Sequence, residues 1–275
     1  VPSAQDMRRV WACLMALLMI PIASAAFTTS IQLTVEDKLA DFDLGISGGE
    51  LSPSGQHVLL FGANGYSHLL MATSAEDRSS DIELEKKVNH SLNAAAWHPR
   101  GNTAYLLGDS GTMLRYIGEN HAIETVQVAT EMADENLVAM DWVQSGTHAY
   151  VAAQSGNIWK YSNGSGFEAL NGSKDSAITD ISCHKSNNGI CFAVTLGDGV
   201  FVIDRDGVLS WISGTSSDTW IGVSCDDGAL NECTTYGSNA RIGTLSSLAR
   251  FLRFLLISAI SCCLLSPEEL CISCK

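Results

Sequence analysis

The sequence predicts an all-β fold assembled from repeats, and three observations carry that expectation. Five pairs of residues stand eight apart: Leu51 and Leu59, Trp97 and Tyr105, Trp142 and Tyr150, Cys183 and Cys191, Cys225 and Cys233. Each pair flanks a turn-forming segment (SPSGQHV, HPRGNTA, VQSGTHA, HKSNNGI, DDGALNE), and the pairs recur in steps of 46, 45, 41 and 42 residues. Such a period belongs to propeller and solenoid arrays. The chain also holds 24 glycines and 5 prolines. It lacks the sustained 3.6-residue apolar period that a helical fold needs. Each unit reads as four short antiparallel strands, which is one blade of a β-propeller. The expected architecture is a β-propeller of about five four-stranded blades.

The chain divides into three parts. Residues 1–26 combine upstream residues with a signal peptide: Arg8 and Arg9 precede the apolar run VWACLMALLMI, Pro21 breaks it, and Ala23-Ser24-Ala25 offers a small-residue cleavage pattern. The run is short for a spanning helix, and its alternative reading is an uncleaved anchor. Residues 27–245 form the propeller. Residues 246–275 form an atypical apolar tail that holds four of the nine cysteines. The tail reads as disordered, or as a membrane anchor through 251–265. Cys271 and Cys274 form a lone CxxC, too little for a metal or redox site.

The most regular repeat is Leu92–Tyr116, LNAAAWHPRGNTAYLLGDSGTMLRY. Pro and Gly make its first reversal and Asp-Ser-Gly its second. Equivalent second turns are GANG at 62–65, AQSG at 153–156, LGDG at 196–199 and YGSN at 236–239. A third strand follows each. Fourth strands follow at 82–88, 123–129, 166–171 and 207–213, but the fifth repeat stops after its third. The last blade is therefore incomplete, or closed by TTSIQLTVE at 28–36, since an unclosed ring leaves strand edges exposed.

The segments AAWHPRGNTAYLLGDSGTMLRY and AMDWVQSGTHAYVAAQSGNIWKY resemble the WD-repeat-like, YVTN/BNR-like group of secreted prokaryotic propellers. The likeness spans roughly residues 42–245. Gly-His and Trp-Asp dipeptides and a repeated Asp-box are absent, so the resemblance implies a fold and no activity.

The eight-residue pairs also assign four cysteines. Trp and Tyr in the second and third repeats are expected to face each other across the hairpin as aromatic pairs. Cys183 and Cys191, and Cys225 and Cys233, occupy the same slots. Facing residues lie within disulfide reach, so two bridges are expected. The rival is a four-cysteine metal site, but the spacing is not that of zinc ligands.

The net charge is −14, and the two ends each carry a net +1, so the middle is more acidic still. Such a surface excludes nucleic acid as a partner. None of the seven histidines forms a metal motif, and His98 and His184 read as solvated loop residues. There is no calcium loop, although Asp41, Asp43 and Glu50 acidify the first repeat. No cofactor motif occurs. The candidate binding residues are the second-turn residues Asn64, Asp109, Gln154, Asp198 and Ser238, which a propeller would bring to one rim. Turn chemistry alone also accounts for them. Asn89-His90-Ser91, Asn163-Gly164-Ser165 and Asn171-Gly172-Ser173 are glycosylation sequons.

The functional expectation is an exported, non-enzymatic module that binds a protein, peptide or glycan or serves as a scaffold. The alternatives are an extracellular propeller hydrolase or lyase, and a structural envelope component held by the C-terminal tail. A hydrolase requires converging groups, for which Asp109 and Asp198 are the candidates.

Overall fold

The computed structural model describes residues 45–71, 81–170, 176–185, 189–225, 232–246 and 251–254. They form five four-stranded antiparallel sheets in chain order. The first sheet contains β1 (Ile46–Leu51), β2 (His57–Gly62), β3 (Ser67–Met71) and β4 (Ile82–Glu83). The second contains β5 (Leu92–Trp97), β6 (Thr103–Gly108), β7 (Met113–Ile117) and β8 (Ala122–Thr125). The third contains β9 (Leu137–Trp142), β10 (Ala149–Ala153), β11 (Ile158–Ser162) and β12 (Gly166–Ala169). The fourth contains β13 (Ile178–Cys183), β14 (Cys191–Thr195), β15 (Val200–Ile203) and β16 (Leu209–Trp211). The fifth contains β17 (Trp220–Cys225), β18 (Glu232–Gly237), β19 (Arg241–Ser246) and β20 (Phe251–Phe254).

Strand composition follows position in the sheet. The second strands of the three inner sheets lie between two neighbouring sheets and are buried on both faces: every residue of β10 (AYVAA) and β14 (CFAVT) is buried. A strand covered on both faces gains from a continuous apolar run. The outer strands β12 and β16 carry no buried residue. The turns after the second strands need left-handed backbone in places. Ser110 and Gly111 both have positive φ, 53° and 63°, the signature of a type I′ turn. A Cβ on Gly111 would stand 2.4 Å from the Met132 carbonyl oxygen.

Successive sheets stack through their first strands, β1 on β5, β5 on β9, β9 on β13 and β13 on β17. Four apolar cores fill the four spaces between them. Among the described residues no comparable packing returns from β17 to β1. The succession is propeller-like, without a closed ring. The consequence is visible at one repeat position. Trp97, Trp142, Cys183 and Cys225 are buried against the preceding sheet, whereas Leu51, which has no preceding sheet, is 56% exposed. On the free side of the last sheet, Tyr236 is 49% exposed, while its counterparts Leu107, Ala152 and Val194 are fully buried.

Two expectations about the repeats are corrected. Trp97 faces Ala104, Trp142 faces Ala149 and Leu51 faces Val58, whereas Cys183 faces Cys191 and Cys225 faces Cys233. The last two hairpins hold one more residue between facing positions. An eight-residue step therefore lands on the same face in those sheets and on the opposite face in the first three. Tyr105 consequently packs across the sheet boundary on Trp142 and Tyr161, with centroids at 5.4 and 5.5 Å, and Trp97 packs edge-on to Tyr116. The second correction concerns the fifth sheet. Its fourth strand is β20, from the segment expected to be a disordered tail or anchor, and it pairs antiparallel with β19. The segment 28–36 is therefore not needed to complete that sheet. It lies outside the described residues, as do residues 1–26, where the signal peptide is expected, and residues 255–275.

Both disulfides are formed, with Cα–Cα separations of 3.9 and 4.1 Å. Among the described residues, no helix is long and apolar enough to cross a membrane.

Two measurements check this architecture. Leu59 is fully buried and Leu51 is not. Leu59→Ala is expected to cost about 2–5 kcal/mol in urea unfolding, and Leu51→Ala less than about 1 kcal/mol. Replacing both Cys183 and Cys191 by alanine is expected to cost about 2–3 kcal/mol, and non-reducing peptide mapping of the parent chain recovers the two linked pairs.

Candidate functional site

The first strands of all five sheets wall one cavity of about 810 Å³. That volume falls within the range of small-ligand sites. Every first strand carries one extra residue near its start relative to its partner: Ser47, Asn93, Val138, Thr179 and Ile221. Such bulges turn side chains away from the regular alternation.

The inner edge of a first strand has no strand partner, and its backbone groups need other partners. Side chains from adjacent sheets supply them. The Asp141 carboxylate accepts the Cys183 N–H at 2.7 Å, and Asp180 accepts the Val223 N–H at 2.9 Å. The Ser182 hydroxyl oxygen accepts the Cys225 N–H at 3.0 Å. In the other sense, Asn93 Nδ2 donates to the Leu137 carbonyl at 3.2 Å and Thr179 Oγ1 to the Trp220 carbonyl at 3.1 Å. The Trp97 indole donates to the Glu50 carbonyl oxygen at 3.0 Å.

Three carboxyl groups thus line the cavity, Glu50, Asp141 and Asp180, with Lys185 beside them at 3.4 Å from Asp141. Burial pushes the Asp141 carboxyl above its ordinary range, opposed by Lys185 and by the Cys183 and Trp142 N–H groups. Asp180 is pushed up to about 6, first by burial and also by the charge of Asp141, against its own two N–H donors. Glu50 is pushed up to about 7, by burial first and then by Asp141 and Asp180, with Lys185 opposing. Glu50 is water-accessible by surface area, but the water it meets lies in a concavity lined by protein and like charge. That setting fixes the direction of its shift and tempers its size. Asp141 and Asp180 are occupied as inter-sheet acceptors, and the Glu50 carboxylate is not. No group of side chains among the described residues is arranged to hold a metal ion.

The five turn residues expected at a binding rim stay in five separate turns, and none lines the cavity. Asn64 adopts left-handed backbone, φ 56°. Asp109 accepts from Asn93 Nδ2 at 2.8 Å, its one link to the cavity wall. The Gln154 N–H bonds the Asn136 carbonyl, the Asp198 N–H bonds Thr195 Oγ1, and the Ser238 N–H bonds the Thr219 carbonyl. Asp109 and Asp198 share no hydrogen bond. His184 is 2% exposed, so it is a core residue and not a solvated one. His98 is half-buried, bonded to the Gly146 carbonyl at 3.0 Å and packed edge-on to Trp142 at 4.6 Å.

Sequence reasoning noted Glu50 only as local acidity and passed over Asp141, Asp180 and Lys185. The available signal was a charge inside an apolar first strand, as in LVAMDW and ITDISC. A search of protein-family models matches none to the chain, and a comparison with curated proteins finds no match.

The raised carboxyls set a pH dependence of stability. A carboxyl whose folded pKa exceeds its unfolded value binds its proton more tightly in the fold. Its stabilising contribution is full below the ordinary carboxyl range and is lost as pH rises through about 6 for Asp180 and about 7 for Glu50. Urea midpoints are expected to fall between about pH 4 and about pH 7. Glu50→Gln is expected to flatten the upper part of that decline, and a parallel curve for the variant would contradict the assignment.

Proposed function

We propose that this chain is an exported, non-enzymatic binding module that takes a protein, peptide or glycan ligand into the cavity walled by its five first strands. The observation that carries this reading is the cavity itself. It is concave and of ligand size, and it is framed by a scaffold whose sheets are tied to one another by side-chain bonds. Rigid support under a polar concavity lowers the ordering cost of binding. Two disulfides fit an oxidising environment, which supports export together with the signal-like segment 7–26. The resemblance to secreted prokaryotic propellers adds the expectation of a propeller role without naming a ligand. An envelope component held by the tail is a reading that rests on residues 255–275, outside the described part.

A second reading is favoured by one observation: two carboxyls in the cavity, Glu50 and Asp180, hold protons up to about 7 and about 6. Groups with such values suit proton transfer near neutral pH, as a hydrolase or lyase of extracellular polymers requires. Loss of turnover with retained binding in Glu50→Gln would establish that reading over the first.

The test of the binding reading uses peptide and glycan arrays probed with the full chain. Ser224 is exposed and lines the cavity. Ser224→Trp is expected to abolish binding to the members that the parent chain selects. Binding that survives Ser224→Trp but is lost in Asp109→Ala or Asp198→Ala would move the site to the turns.

A further inference from the structure

We infer that Asn163 is a site of N-linked glycosylation, and that the fold is built to carry a saccharide there. The sequon Asn163-Gly164-Ser165 forms the reversal between β11 and β12, closed by the Ser165 N–H on the Ser162 carbonyl at 3.3 Å. All three residues are exposed. A Cβ added at Gly164 or at Gly166 would meet nothing within 4 Å, so the turn that follows the acceptor is surrounded by open space.

The Asn163 side chain is nonetheless fixed. Its Oδ1 accepts two hydroxyl protons, from Tyr105 at 2.8 Å and from Tyr161 at 2.9 Å. These tyrosines are 0% and 5% exposed and belong to adjacent sheets. A carboxamide whose oxygen is held against the core turns its nitrogen outward. Among the described residues Nδ2 has no protein acceptor. Glycosylation uses Nδ2 alone and leaves Oδ1 with both hydroxyls, so the modified residue keeps its place. The Asn89 sequon is different. His90 Nδ1 is bonded to Thr112 Oγ1 at 3.1 Å, the Ser91 carbonyl accepts the Asp109 N–H at 3.0 Å, and Ser91 is half-buried. The Asn171 sequon lies outside the described residues.

In the transfer, Nδ2 forms a bond to the anomeric carbon of a saccharide carried on a lipid pyrophosphate. The bond from that carbon to the pyrophosphate oxygen breaks, and the lipid pyrophosphate leaves with its electron pair. The displaced Nδ2 proton passes to a base of the transferase, and nothing is oxidised or reduced. A membrane transferase acts as the chain enters the exporting compartment, and the fold then accommodates the product.

This inference rests on export, and the experiment separates the two. The full chain is expressed in a glycosylating secretory cell, and its peptides are analysed by mass spectrometry after amidase release of glycans in heavy-oxygen water. The expected result is heavy Asp at position 163 in the parent chain and loss of that signal, with one glycan's mass, in Ser165→Ala. Asn163→Asp keeps the oxygen acceptor and is expected to match Ser165→Ala in thermal midpoint, whereas Asn163→Ala, which frees both tyrosines, is expected to melt lower. An unmodified Asn163 in a secreted chain with both disulfides formed would overturn the inference and leave export standing. A chain retained with free thiols would overturn export, and this inference with it.

Discussion

The first strand of each sheet has an inner edge with backbone donors and acceptors and no strand to meet them. Left unpaired in a partly buried setting, such groups cost free energy comparable to lost hydrogen bonds. This chain meets them with polar side chains from the neighbouring sheet: Asp141, Asp180 and Ser182 accept N–H groups, and Asn93 and Thr179 donate to carbonyls. The same residues that join the sheets therefore line the cavity. Its acidity is in part a consequence of how the inner edges are satisfied. That separates the three carboxylates. Asp141 and Asp180 are structural acceptors that also contribute field, while Glu50 contributes field alone and is the side chain with freedom to meet a ligand.

The same dependence on neighbours governs the apolar residues. Tyr105 and Trp142 are buried because each is pressed between sheets, and their ring contacts cross the sheet boundary. Leu51 and Tyr236 stand at repeat positions that are buried elsewhere, yet each is about half exposed because no sheet among the described residues covers its face. A blade of this kind is not stable by its own strand pairing. Its central strand is apolar on both faces and needs two covers. The five sheets supply four covers between them, and the two outward faces remain.

The all-β class, the five units and the strand order inside the first four were legible in the sequence, because turn residues recur at a fixed period and strands between them are short. The register was not. Three hairpins reverse over seven residues and two over eight, and a constant step between marked residues conceals that difference. The cysteine pairs were still found, because oxidised sulfur chemistry demands proximity. Trp97 and Tyr105 obey no such demand and were assigned to the wrong partners. The strand β20 was hidden by composition, since an apolar run after a stretch without glycine reads as a change of domain. Asp141 and Asp180 were hidden by distance: their partners are N–H groups 42 and 43 residues further on, and a one-dimensional reading sees only a charge in an apolar strand.

The inter-sheet bonds also determine what a change of protonation does. A carboxyl that gains a proton keeps lone pairs on both oxygens, so Asp180 can go on accepting from Val223 and Ile181 as it becomes neutral. The bonds weaken, since a charged acceptor makes the stronger bond, but the geometry of the frame does not require the charge. Glu50 bears no such bond, and its protonation alters only the potential inside the cavity. Acidification through about 7 and about 6 thus removes charge from Glu50 and Asp180 while leaving the sheets joined. Charge and framework are separable here because the acceptors that hold the sheets are oxygens first and anions second.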